Sequence, residues 1–94
     1  QVAGVVDVAP EYRMEEIEVT PGCLGAGRPL ADIAGSAIVA ALYRAEGELV
    51  PQPSGETVLQ PGDVLIAMGT ASAMDRLEAL FAKNDMKARQ HAPR

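Results

Sequence analysis

The chain has 94 residues, 48% of them apolar and 22% charged, a balance that suits one small folded domain and excludes a disordered tail. Its net charge of −5 supplies no basic surface to displace counterions from phosphates, so nucleic acid is set aside as a partner. With a single Cys and no run of about 18 apolar residues, an intramolecular disulfide and direct membrane insertion are excluded as well.

Residues 1–13 read as a lead-in, in which Val2, Val5, Val6 and Val8 can form a strand or arm that Pro10 stops. Residues 14–20 alternate around Ile17 and Val19, with Glu16 and Glu18 on the opposite face, the period of a half-buried strand. Pro21-Gly22 turns the chain, and the glycines that follow keep it irregular until Pro29, the expected first residue of a short helix through Ala34. Residues 37–43 (AIVAALY) are nearly all apolar and predict a central strand covered on both faces. Their length also permits a helix, but Gly35-Ser36 breaks the chain before them and Glu46-Gly47 suits a hairpin turn into residues 48–50.

The next stretch, LVPQPSGETVLQPGDVLIAMG (residues 49–69), prescribes a backbone path. Pro51 and Pro53 fix their own φ and push Val50 and Gln52 toward extended geometry. Ser54-Gly55 predicts a turn with Gly taking a positive φ, and residues 57–59 suit a short strand or strand edge. Pro61-Gly62-Asp63 predicts a second turn, leading into a strand over residues 64–68 that Gly69 ends. Thr70 or Ser72 can then cap a helix whose Met74, Leu77, Leu80 and Phe81 recur at helical spacing. Residues 83–94 read as a polar, disordered tail.

Chemistry-bearing motifs are sparse. PGD occurs before strands in many β-rich folds, and its Asp63 fits a turn acceptor better than a catalytic acid. GCLGAG (residues 22–27) lacks the G-x-G-x-x-G order of a dinucleotide loop and reads as a connector. Glu15 points away from Glu16 and Glu18 on a strand, which favours a solvated acidic face over a cation site. Cys23 and His91 are each unaccompanied, so no metal or catalytic constellation is assigned. Met68 and Met74 fall at core spacing. Arg44 can pair locally with the Glu46–Glu48 turn or contact an anion at a subunit interface.

The order strand, short helix, hairpin, strand, helix predicts an α+β fold with a small mixed sheet. EIEV (residues 16–19), GRPLADI (27–33), IVAALYR (38–44), the P-x-P of Pro51 and Pro53, L-x-x-G-D (59–63) and LIAMG (65–69) together resemble the C-terminal subdomain of regulators of potassium conductance, the RCK_C or TrkA-C domain. The resemblance delimits a regulatory domain over residues 14–82 and implies a cytoplasmic, non-enzymatic, ligand-sensing module. Such a module pairs with a second copy and controls a potassium or other cation channel or transporter.

In relatives that bind cyclic di-AMP, the ligand lies in the dimer interface. Carried onto this chain, the resemblance implies walls from Ala34, Ile38, Val39, Pro51 and Pro53; the anion contact at Arg44 is the separate reading given above. The chain departs from those relatives in having Ala34-Gly35-Ser36 and Ile38 where they carry a basic residue and a polar amide. A dinucleotide cofactor would belong to a preceding Rossmann subdomain, so none is assigned here.

Other observations agree with such a setting. A domain of this size buries about 60–65% of its unfolded surface, which makes assembly physically attractive. The lone Cys suits a reducing cytoplasm, and the opening Gln1 suggests a piece of a longer polypeptide. The alternatives are a structural dimerisation module without ligand and a fragment of a β-rich hydrolase, the second lacking any pairable nucleophile and base.

Overall fold

Two helices cover one face of a four-stranded sheet in the computed structural model, which describes residues 11–82. The elements are β1 (Tyr12–Glu18), α1 (Leu30–Ile33), β2 (Ile38–Tyr43), β3 (Leu49–Pro51), β4 (Val64–Thr70) and α2 (Ala71–Phe81). The strand order is β1-β4-β2-β3. All the pairings are antiparallel, so the sheet expected to be mixed is antiparallel throughout. The expectations for residues 1–10 and for the tail at 83–94 lie outside the described residues.

Alternation along β4 sets the layers. Leu65, Ala67 and Gly69 are buried, while Val64, Ile66 and Met68 between them are half-buried on the other face. Leu65 pairs with Ile17 of β1 and Leu42 of β2, and this row meets Met74, Leu77 and Phe81 of α2 and Leu30 and Ile33 of α1 in one core. Thr70 caps α2: its Oγ1 accepts from the Ala73 N–H at 3.1 Å, satisfying one of the free donors of the first turn.

The path through residues 49–63 matches the prolines and turns with two exceptions. Gln52, expected to be extended, has φ 47° and donates its N–H to the Ala40 carbonyl at 2.9 Å. That bond reaches β2 at the register shift between Val39 and Ala41, and holding it requires the left-handed backbone. Gly55 has no positive φ; it is needed for space, since a Cβ there would stand 2.9 Å from the Ala31 Cβ, while its carbonyl accepts from Ala31 N–H at 2.8 Å. The stretch expected as a strand edge at 57–59 is an isolated bridge between Val58 and Pro29. Gly62 does take the positive φ that the PGD turn requires, at 95°.

Two burial expectations are corrected. β2 is not covered on both faces: Ile38 is 61% and Tyr43 44% exposed, because α1 and α2 occupy the same side of the sheet. Met68 belongs to the open face rather than the core, while Met74 is fully buried. Pro29 sits in extended geometry just before α1 instead of within it.

Candidate functional site

Three rungs cross the open face of the sheet. The strand registers align Met14, Met68 and Ile38 in the first rung, Glu16, Ile66, Ala41 and Pro51 in the second, and Glu18, Val64, Tyr43 and Leu49 in the third. Directly opposed residues share a face, so these side chains form one surface, apolar across β4, β2 and β3 and acidic along β1. Met14 is 65% and Leu49 49% exposed on it. A contiguous apolar patch of this kind on a small domain marks an interaction surface.

The six residues expected at a ligand site divide between the two sides of the sheet. Ile38 and Pro51 lie on the open face. Val39 pairs with buried Ala67 and packs against the core, since neighbours on a strand point to opposite faces. Ala34 is the C-cap of α1, on the helix side. Pro53 is half-buried two residues beyond β3. The Arg44 guanidinium pairs with neither the Glu46 nor the Glu48 carboxylate, although the Arg44 N–H donates to the Glu48 carbonyl at 2.7 Å; its Nη1 donates to Asp63 Oδ2 at 2.8 Å and to the Val58 carbonyl at 2.9 Å.

The sequence reading did not single out Met14, Ile66, Tyr43 or Leu49, which complete the open surface. A signal was available in VLIAMGT, where every second residue is as apolar as the buried ones. Only the placement of the helices tells which set faces out.

On the opposite side of the sheet, a cavity of about 200 Å³ lies between the end of α1 and α2, with Ala34 in its wall. The β1 acids behave as the strand period requires: Glu15 lies 3.3 Å from Arg13 Nε on the α2 side, and Glu16 and Glu18 are exposed on the other. Among the described residues, no group of His, Cys, Asp and Glu converges to hold a metal ion, and no helix is long and apolar enough to cross a membrane.

The family model described as the TrkA-C domain matches residues 14–82. The chain belongs to the TrkA-C domain family. This is a regulatory domain family found in potassium channels and in ligand-binding regulators. Solved structures share the TrkA-C fold. The RCK_C domain dimer of S. agalactiae BusR in complex with c-di-AMP aligns with a TM-score of 0.62 at 21% identity, over 76% of this chain and 91% of that one. BusR in complex with its busAB-promotor DNA aligns with a TM-score of 0.62 at 22% identity, over 82% of this chain and 38% of that one. The GsuK channel bound to NAD aligns with a TM-score of 0.59 at 18% identity, over 76% of this chain and 14% of that one. The chain thus spans well under half of the longer proteins that contain its fold. No curated protein matches the chain.

Proposed function

We propose that this TrkA-C domain is a non-catalytic, ligand-sensing module on the cytosolic side of a cation channel or transporter, working as a homodimer joined through the open sheet face. The carrying observation is the continuous apolar surface of Ile38, Ile66, Met68, Tyr43 and Leu49, left uncovered while the helices bury the other side. Burying it against a second copy removes that apolar area from water, at roughly 25 cal/mol per Å². The dimeric state and c-di-AMP complex of the similar BusR domain support the reading.

In this reading the ligand is cyclic di-AMP or another small molecule held between protomers. Ile38 and Pro51 wall it directly, Pro53 closes one end, and Val39 and Ala34 back the wall from the core side. Arg44 contributes to an anion only by sharing its guanidinium with Asp63. Ligand occupancy moves the attached gate only to the extent that it favours one dimer geometry over another.

The similarity to BusR in complex with promotor DNA favours a second reading, in which the parent protein is a transcriptional regulator. The domain would sense and dimerise in the same way, and the DNA contact would lie in the part of that protein beyond the shared 38%.

Light scattering on the wild-type chain and on Ile38→Glu tests the dimer: a wild type that dimerises and a variant that does not is the expected pair. A wild-type monomer at high concentration counts against it. Calorimetric titration with cyclic di-AMP and a thermal-shift panel of nucleotides and cations then separate a sensor from a structural dimerisation module, since a ligand of the native state raises the melting temperature.

A further inference from the structure

The cavity between α1 and α2 lies on the side of the sheet away from the proposed dimer face. Ala73, Arg76, Leu77 and Leu80 recur at i, i+3, i+4 and i+7, so one stripe of α2 lines it. Facing that stripe are Ile33 at the end of α1 and the Gly35-Ser36 turn. Ile33, Leu77 and Leu80 form an apolar floor, and Leu77 and Ile33 are also part of the core.

The rim carries one charge of each sign. Asp32 on α1 and Arg76 on α2 both line the cavity and are both solvent-exposed. They form no ion pair with each other or with any other described residue. By contrast, Arg13 is engaged with Glu15, Asp75 and Glu78, and Arg44 with Asp63. Two opposite charges held apart across an apolar floor match a ligand that carries both charges itself. A simple anion would be repelled by Asp32, and a simple cation by Arg76. At about 200 Å³ the cavity lies below the roughly 300–1,000 Å³ of drug-sized sites, which suits a compact metabolite.

We propose that this cavity binds a small zwitterion of the α-amino-acid class, with its carboxylate at Arg76, its ammonium at Asp32 and a short apolar side chain on Leu77 and Leu80. Ser36 also lines the cavity and brings a hydroxyl as a further polar partner. Each protomer carries a complete site, so this binding is independent of dimerisation and separate from a ligand between protomers.

The test is an NMR titration of the 94-residue chain with individual L-amino acids, each beside its deaminated carboxylate and its decarboxylated amine. The expected result is a saturable shift of the Gly35 and Ser36 amides with at least one small apolar amino acid. Both singly charged analogues should bind about tenfold or more weaker, the loss of one charge-assisted contact. Arg76→Gln and Asp32→Asn should each weaken binding by about the same factor with unchanged melting temperature, because both side chains are exposed. Ile38→Glu should leave the binding intact, which separates this site from the dimer reading. The proposal is overturned if no amino acid gives a saturable shift, if the carboxylate alone binds as well, or if binding survives both rim substitutions.

Discussion

Arg44 and Asp63 form an ion pair that ties the end of β2 to the turn before β4, with Nη1 2.8 Å from Oδ2 and the carboxylate 1% exposed. The same carboxylate accepts from the Ala45 N–H at 3.1 Å and the Gln60 N–H at 2.9 Å. Burial of the charge is tolerable because its oxygens are fully engaged.

Replacing this carboxylate tests its structural role. Asp63→Ala strands the Ala45 and Gln60 N–H groups and leaves the Arg44 guanidinium without its carboxylate, and should cost about 3 kcal/mol. Urea unfolding should show the midpoint falling with an unchanged slope. A loss well under about 1 kcal/mol would mean that the turn holds without its carboxylate.

Gly25 is required by space rather than by backbone angle. A Cβ there would stand 2.5 Å from Phe81 Cε1, and the Gly25 N–H already donates to the Leu80 carbonyl at 2.9 Å, so the loop cannot move away cheaply. Gly25→Ala should lower stability by about 1–3 kcal/mol through overpacking. Adding Phe81→Leu should recover part of that loss, giving a non-zero coupling in a double-mutant cycle, whereas additive losses would place the strain elsewhere.

Neighbours on β4 should separate folding from association. Leu65→Ala removes a fully buried side chain and should destabilise the fold by about 2–5 kcal/mol. Ile66→Asp lies on the half-buried open face and should instead dissociate dimers, with the far-UV spectrum of the protomer retained. Sedimentation velocity and circular dichroism on the two variants read the two effects separately. Equal damage to folding from both would mean the open face is part of the protomer core.

Gln52 holds a positive φ that costs an L-residue about 1 kcal/mol or more. Gln52→Val, with a branched Cβ, should lower the melting temperature, and Gln52→Gly should preserve or raise it. A Val variant as stable as wild type would show that the positive φ at residue 52 carries no cost for a branched side chain.

The turns and the capped helix were legible because their causes are local. Pro61-Gly62-Asp63 sets its φ values within three residues, and Thr70 reaches an N–H three positions away. The family's order of motifs was legible for the same reason, each being a short segment with its own backbone demand. Gln52 was not, because its left-handed backbone answers to a carbonyl on β2 rather than to Pro51 and Pro53. The candidate site was legible in part: Ile38 and Pro51 share the open face, while Val39 and Ala34 belong to the other side.

From the sequence alone came the identity of the elements, their order and the membership in a regulatory family, since periodicity, proline and glycine act over a few residues. Tertiary structure decided which face of the sheet stays open and which partner holds Arg44. β4 is apolar on both faces, so local pattern cannot choose between them; the helices choose by packing on one. Arg44 and Asp63 are 19 residues apart, and only the folded sheet brings the guanidinium to the carboxylate.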